Sequence, residues 1–306
     1  MASMKEIKRR KSSIESTGQI TKAMKLVATV KLQKTKQIAT NSIPYFNTIY
    51  ETVNEILKKS NNVNSKCVKK SKGGKVGLIV ISSNKGLAGG YNSNIIRALI
   101  GEEAKINFDK NNTYVYAIGT KARDALDRKG FIIKEDYNEA IDKPSVDLSR
   151  KIAETVLNDF FSDEIDEIYL LYTFFKNTLV HIPRLLKVLP IESSEISQEE
   201  KGELVRKNDF VPARSKYIDD DKTPMNYEPG DEEILNSIVP TYLTSLIYGG
   251  MTSSIASENG ARMTAMDNAT NNANELIEEL SLAYNRARQG AITQELTEIV
   301  AGANAI

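Results

Sequence analysis

The sequence lacks tryptophan and contains one cysteine and one histidine among its 306 residues. The single cysteine, Cys67, excludes an internal disulfide and a dithiol switch. The histidine, His181, has no cysteine or carboxylate cluster beside it, so we interpret it as structural and predict no metal site. No run of 18 apolar residues is present, so we predict no membrane-spanning helix. The N-terminal residues carry charge where a secretion signal needs an apolar core, so we expect a cytoplasmic protein.

The motifs of a catalytic site are also missing. Residues 84–90 are rich in glycine, as phosphate-binding loops are, but they lack the Gly-x-x-x-x-Gly-Lys-Ser/Thr pattern. We therefore interpret this loop as a tight turn between a strand and a helix. The run Asp219-Asp220-Asp221 lacks the alternating spacing of a calcium loop. Because no nucleophile and base can be paired, we predict a protein that is not an enzyme, with no catalytic residue and no cofactor.

The formal net charge of +1 conceals a strong asymmetry. Residues 1–75 contain 17 Lys and Arg against 4 Asp and Glu, a net charge of +13, so the remainder carries −12. A basic segment favours nucleic acid or an acidic protein surface as partner. The first aromatic residue is Tyr45, and nucleic-acid binding usually adds aromatics to the charge, so we favour an acidic protein surface.

The last 51 residues, 256–306, contain no proline and predict one long helix. Residues on one line of this helix follow alternating steps of four and three, as in a coiled coil: Ala269, Ala273, Leu276, Leu280, Ala283, Ala287 and Gly290. Most are small, so the seam holds a partner helix weakly per turn but permits a close approach. The segment ends in small neutral residues, 300–306, which we expect to lie inside a sleeve built by other proteins.

Residues 5–57 predict a second long helix with an equally thin seam. The seam consists of Ile7, Ile14, Thr17, Thr21, Met24, Ala28, Thr35 and Ile38, with Lys31 and Ser42 as polar positions. Pro44 predicts a kink near Thr40. Two thin seams complement each other in an antiparallel pair, in which the C-terminal helix is expected to extend several turns beyond the other.

Between the two helices the hydrophobic period changes to that of a doubly wound sheet. A polar linker, residues 60–75, precedes predicted strands at 76–81, 114–118 and 131–133, which alternate with predicted helices at 92–103, 120–129 and 145–161. Strands at 167–175 and 178–189, joined at Lys176-Asn177, predict a hairpin at one sheet edge. Residues 192–227 predict an irregular extension, and Pro240 with Gly249-Gly250 predicts a bend early in the last helix.

The predicted fold class is therefore α/β, with a long antiparallel two-helix coiled coil from the two termini and a central Rossmann-like α/β domain. We place the N-terminal coiled-coil helix at 1–58, the α/β domain at 75–228 and the C-terminal coiled-coil helix at 229–306.

Several motifs of this chain resemble those of the gamma subunit of the rotary F-type ATP synthase. These motifs span residues 20–28 (ITKAMKLVA), 85–92 (KGLAGGYN), 227–229 (YEP), 256–263 (ASENGARM) and 292–299 (ITQELTEI). The resemblance covers nearly the whole chain and is weakest over residues 192–225. It implies a non-catalytic central rotor inside a ring of three alpha and three beta subunits, with ATP chemistry on the beta subunits.

The resemblance also implies the partner interfaces. The α/β domain is expected to contact the epsilon subunit and the c-subunit ring, and the chain to reach the cytoplasmic face of a bacterial cell membrane only through the complex. Met24, Lys25 and Arg262 are expected where the stalk meets the acidic lever loop of a beta subunit. Gln289, Thr293 and Glu295 are expected in the upper contact with the ring. Lys25 stands where many relatives carry an acid, which makes the shaft more basic.

Two alternatives remain open on the residues alone. One is a coiled-coil protein that binds nucleic acid through its basic N-terminal arm, for which a steep salt dependence of binding would speak. The other is a nucleotide-binding enzyme built on the α/β domain, which the missing phosphate-loop motif disfavours.

Overall fold

A computed structural model describes residues 4–59, 66–68, 74–101, 108, 110–191 and 230–303. The chain divides into two compact units, one formed by Met1–Val30 with Arg262–Ile306 and the other by Lys31–Ala261. We call them the coiled-coil unit and the sheet unit. The predicted irregular extension and the acidic run at 219–221 lie outside the described residues, as do most of the linker at 60–75 and the end of the helix predicted to reach residue 103.

Two helices dominate the chain. Helix α1 covers Met4–Lys59, 56 residues, and the last helix, α6, covers Asp231–Ala303, 73 residues. At about 1.5 Å per residue they are about 84 and 110 Å long. Helix α1 continues through Pro44, and α6 continues through Pro240 and Gly249-Gly250, so neither proline ends a helix. Each helix contributes one end to the sheet unit and the other to the coiled-coil unit.

The sheet unit contains five strands in the order β3-β2-β1-β4-β5. The strands are β1 (Val76–Ile81), β2 (Thr113–Ile118), β3 (Ile132–Asp136), β4 (Glu167–Phe175) and β5 (His181–Leu189). Strand β1 is parallel to β2 and β4, β2 is parallel to β3, and β5 is antiparallel to β4 at the edge. All six residues of β1 are buried, as its uninterrupted apolar run predicts for a strand covered on both faces.

Four shorter helices follow the strands: α2 (Tyr91–Ile100), α3 (Thr120–Asp127), α4 (Asn138–Asp142) and α5 (Val146–Phe161). Alternate residues of β1 enter two separate cores because side chains alternate across a sheet. Ile79 and Ile81 pack in the core that includes α5 and parts of α1 and α6. Leu78 and Val80 pack in the core that includes α2 and α3.

Three details of the sheet unit differ from the prediction. The short helix α4 was not predicted, and β3 runs to Asp136 instead of ending at residue 133. The hairpin turn covers residues 176–180, so β5 begins at His181 instead of Thr178. The turn is longer than predicted because Asn177 Oδ1 accepts hydrogen bonds from the backbone N–H groups of Leu179 and Val180 and holds these residues in the turn.

Candidate partner-binding surface

The coiled-coil unit pairs α1 with α6 in antiparallel orientation. A methyl group added at Gly18 would lie 3.4 Å from Ala273 Cβ. Further along α1, Thr21 Oγ1 lies 2.8 Å from Thr270 Oγ1, and then Lys25 Nζ lies 2.6 Å from Asp267 Oδ1. Residue numbers rise on α1 while they fall on α6, and the partner numbers sum to about 291. The fold class predicted from the sequence is confirmed.

The buried stripe on α6 is out of phase with part of the predicted seam. Ala273 is buried, and Ala269, Leu280 and Ala287 are partly buried, as predicted. Leu276, Ala283 and Gly290 are exposed, and these three assignments were wrong. Their places in the stripe are taken by the next residues, which are less exposed: Ile277, Tyr284 and Ala291. Both lines step by threes and fours and share Ala273, so periodicity alone did not separate them.

The stripe on α1 shows the same kind of error. Thr21, Ala28 and Thr35 are buried, and Ile7, Ile14, Met24 and Ile38 are partly buried, as predicted. Thr17 and Lys31 are exposed, and the neighbouring Gly18 and Leu32 are buried instead. Gly18 has no side chain to suggest burial, so a hydrophobicity pattern cannot detect it. The α1 backbone approaches Ala273 so closely that a Cβ added at Gly18 would just reach van der Waals contact with Ala273 Cβ, at 3.4 Å.

Beyond the start of α1, helix α6 has no described partner helix. On the observed register Met4 lies opposite about residue 287, so roughly 16 residues of α6, about 24 Å, extend further. We call residues 288–303 the overhang. Every overhang residue except Ala291 is exposed. The exposed residues include four large aliphatic side chains: Ile292, Leu296, Ile299 and Val300.

The overhang aliphatics form a continuous apolar line. Ile292, Leu296 and Ile299 follow the i, i+4, i+7 spacing of one helix face, and they are 49%, 57% and 63% exposed. Contiguous exposed apolar surface is a common feature of protein interaction sites, so this line is a candidate partner-binding surface. From the residues, the sequence prediction placed the sleeve contact at 300–306, and from the resemblance it placed Gln289, Thr293 and Glu295 in the upper ring contact. Neither prediction named the exposed aliphatic line, which begins at Ile292. The spacing alone would have identified it.

The residues expected at partner interfaces lie in two places within the coiled-coil unit. Met24 and Arg262 are partly buried, and the partly buried Lys25 donates a hydrogen bond to Asp267. Gln289, Thr293 and Glu295 are exposed on the overhang, where Thr293 Oγ1 donates to the Gln289 carbonyl at 2.9 Å. The exposed cations of α1 in this unit include Lys8, Arg9, Arg10 and Lys22.

Protein groups occupy hydrogen-bonding positions at the start of the glycine-rich loop. In a phosphate-binding loop the backbone N–H groups point at the ligand. Here the Ser83 N–H donates to Asn92 Oδ1 at 3.2 Å, and Asn84 Nδ2 donates to Asp142 Oδ2 at 2.9 Å. The carboxylate of Asp142 at this edge would repel a phosphate. The geometry therefore does not favour nucleotide binding at the loop.

The described residues also limit metal and membrane sites. Within residues 4–59, 66–68, 74–101, 108, 110–191 and 230–303, no three His, Cys, Asp or Glu side chains are grouped so that they could hold a metal ion. Across that same part of the chain, no helix combines the length and hydropathy of a membrane span.

Comparison with known proteins identifies the family. Residues 3–306 match the family model described as ATP synthase. The chain is 52% identical to the ATP synthase gamma chain of Lachnoclostridium phytofermentans, with 100% of each chain covered. It is 38% identical to the sodium ion specific ATP synthase gamma chain of Acetobacterium woodii, with 99% of this chain and 98% of the relative covered.

Solved structures agree on the fold. The chain matches a chain of the Euglena gracilis mitochondrial ATP synthase with a TM-score of 0.65 at 16% identity, covering 99% of this chain and 94% of that one. It matches a chain of the Tetrahymena thermophila mitochondrial ATP synthase central stalk and c-ring structure with a TM-score of 0.59 at 24% identity, covering 82% of this chain and 99% of that one. None of these comparisons supports the nucleic-acid alternative. Because the family model matches residues 3–306 and a gamma chain is 52% identical over the whole length, the chain belongs to the ATP synthase gamma chain family.

Proposed function

We propose that this chain is the non-catalytic central rotor stalk of an F-type ATP synthase. It transmits torque between the membrane c ring and catalytic sites on the beta subunits. Two features support the proposal: the family membership and the antiparallel helix pair of the coiled-coil unit. The observation that carries it is the overhang, a single exposed helix end with an apolar line along it. Most helical stability in proteins comes from packing, so a surrounding partner would stabilise an isolated helix end of this kind.

The partner proposed for the overhang is a sleeve formed by three alpha and three beta subunits. Ile292, Leu296 and Ile299 would be covered there, and Gln289, Thr293 and Glu295 would provide the polar contacts beside them. Apolar contacts suit a turning shaft because they are non-directional and do not lock one angle. An asymmetric shaft in such a ring would hold chemically identical subunits in different states.

On the part of the coiled-coil unit where α1 and α6 are paired, the proposed contact is electrostatic. Lys8, Arg9, Arg10 and Lys22 expose positive charge on α1, and an acidic lever loop of a beta subunit would be attracted to it. Met24, Lys25 and Arg262 are proposed to lie at this contact. The sheet unit is proposed to contact the epsilon subunit and the c ring, at the cytoplasmic face of a bacterial membrane, with no nucleic-acid partner.

The test is reconstitution of the ATP synthase with altered overhangs. A chain ending at Gln289 lacks the apolar line, and a full-length chain with Ile292, Leu296 and Ile299 changed to Gln keeps the length but loses the apolar surface. Both are expected to reduce ATP-driven ion pumping per assembled complex, because the sleeve loses its apolar contacts. Hydrogen exchange in the sheet unit should be unchanged, since no altered residue belongs to it.

The matched control changes the polar pair of the same segment. Gln294 Nε2 donates to Glu298 Oε1 at 3.0 Å, and both side chains are exposed. Replacing both by Ala alters the overhang without touching the aliphatic line, so pumping should stay near that of the unaltered chain. Full pumping by the chain that ends at Gln289 would contradict the proposed role of the overhang.

A further inference from the structure

Strand β4 extends beyond its neighbour on one side of the sheet. Its pairing with β1 ends at Leu171, whereas β4 continues to Phe175. On the other side β5 accompanies it to the end, where Phe175 pairs with His181. The last residues of β4 therefore present backbone groups that no strand satisfies on the β1 side, and buried backbone groups require partners.

Serine hydroxyls of α6 take the place of the missing strand. The Thr173 N–H donates to Ser254 Oγ at 3.0 Å, and the Phe175 N–H donates to Ser253 Oγ at 3.0 Å. Ser253 Oγ donates in turn to the Thr173 carbonyl at 3.1 Å, and Ser257 Oγ reaches the same carbonyl at 3.4 Å. All three serines are at most 1% exposed. We call these four contacts the serine clamp.

Two glycines let the helix lie close enough for the clamp to form. A Cβ at Gly250 would lie 3.1 Å from Ile81 Cδ1 and 3.4 Å from Leu170 Cδ2. A Cβ at Gly260 would lie 2.9 Å from His181 Cε1. Side chains at these two positions would push α6 away from the sheet at both ends of the clamp. Helix and strand are therefore built for direct contact over residues 250–260.

We propose that Ser253 and Ser254 are positioning residues that fix the rotational setting of α6 on the sheet, so that torque passes between them. The proposal depends on the proposed rotor function, because it assigns one step of torque transmission to named side chains. No covalent change is involved. The clamp acts within the sheet unit, and α6 itself continues beyond that unit as one helix.

The physical reason is the directionality of the clamp. Apolar packing opposes separation of a helix from a sheet but opposes turning of the helix about its own axis less, because the hydrophobic effect is non-directional. A serine Oγ lies roughly 4.5 Å from the helix axis, so a turn of about 30° moves it by about 2.3 Å. A hydrogen bond of 3.0 Å then exceeds about 3.5 Å, where it no longer counts as one. Turning α6 on the sheet would therefore disrupt the clamp.

The experiment compares assembled ATP synthase complexes that carry altered gamma chains. The test variant is Ser253→Ala with Ser254→Ala. The matched control is Ser245→Ala, a buried serine of the same helix whose hydroxyl donates only to the Tyr242 carbonyl of α6 itself. Three quantities are measured: hydrogen exchange at Thr173 and Phe175, the ratio of ions pumped to ATP hydrolysed per assembled complex, and the torsional stiffness of single rotors.

The expected result separates the two variants. In the double variant the amides of Thr173 and Phe175 lose their acceptors, and their exchange should accelerate about tenfold or more. The pumping ratio and the torsional stiffness should both fall. The control should match the unaltered chain in all three quantities. A role in folding alone would lower the amount of assembled complex but would leave the ratio and the stiffness of each complex unchanged.

Two results would overturn the proposal. One is unchanged exchange at Thr173 and Phe175, which would mean that the clamp does not form. The other is faster exchange with normal ratio and stiffness, which would mean that the clamp does not position α6. If the double variant does not assemble, Ser257→Ala is used in its place, since it removes only the 3.4 Å contact. The pumping ratio and the torsional stiffness must then both fall, by less than is expected of the double variant. Failure of the unaltered chain to restore pumping would instead refute the proposed rotor function.

Discussion

Three glycines on the long helices differ in the room they leave for a methyl group. At Gly290 no heavy atom lies within 4 Å of the added Cβ. At Gly18 the added Cβ lies 3.4 Å from Ala273 Cβ, and at Gly260 it lies 2.9 Å from His181 Cε1. Replacing each by alanine therefore adds the same group to three environments of increasing tightness.

Two opposing effects set the outcome. Alanine is favoured over glycine inside a helix by about 0.8–1 kcal/mol. Gly290→Ala should gain this amount in full. Gly18→Ala should gain about a few tenths of a kcal/mol less, because the added Cβ at 3.4 Å is slightly closer than the roughly 3.5–4.0 Å that is optimal for two carbons. Overpacking a tight site costs about 1–3 kcal/mol, so Gly260→Ala should be neutral to destabilising by about 2 kcal/mol.

The assay is hydrogen exchange of the full-length chain, read in the peptides around each glycine. The change in local opening free energy relative to the unaltered chain should be most stabilising for Gly290→Ala, smaller for Gly18→Ala and least favourable for Gly260→Ala. Leucine at Gly18 should widen the helix pair and expose Thr21 and Thr270, whereas leucine at Gly290 is the matched control and should not. Equal tolerance of leucine at both positions would refute the close approach of α1 to α6.

Three further predictions concern two single side chains and one ion pair. Burial lowers the pKa of His181 below the 6.5 of an unburied histidine, although a hydrogen bond to the backbone of Thr178 opposes the shift. The stability of the sheet unit should therefore be full above pH 6.5 and decline as the pH falls below it. The pH dependence should disappear in His181→Phe, and its persistence there would assign it to another group. Arg262→Ala should reduce coupled turnover more than it reduces folding, and unchanged ATP-driven pumping would refute its interface role. A double-mutant cycle of Lys25→Met and Asp267→Asn should give a coupling of about 0.2–1 kcal/mol, and a value well above this range would contradict a solvent-screened pair.

The central sheet could be predicted because its strands carry the signal in their own residues. The apolar run at 76–81 and the alternation of strands with helices specify a parallel sheet, and the observed order β3-β2-β1-β4-β5 agrees. The serine clamp could not be predicted in the same way. Ser253, Ser254 and Ser257 look like ordinary polar helix residues until the free edge of β4 is placed beside them.

The coiled-coil seams show a different limit. Leu276 and Ile277 are both apolar and adjacent, so either fits a seven-residue repeat, and only the position of the other helix decides which is covered. On α1 the decisive residue is Gly18, which is buried because it is small. A thin seam of small and polar residues carries little hydrophobic contrast, so its phase is set by contacts that the sequence does not display.

Lys25 illustrates how the structure changes the meaning of a charge. Counted along the sequence, it adds to the positive charge of the basic arm. In the structure its Nζ lies 2.6 Å from Asp267 Oδ1, which neutralises much of that charge within the coiled-coil unit. The two side chains are 37% and 46% exposed, and an ion pair this open contributes no more than about 1 kcal/mol. An acidic partner loop could therefore replace Asp267 at small cost, so Lys25 can serve both the helix pair and the proposed interface.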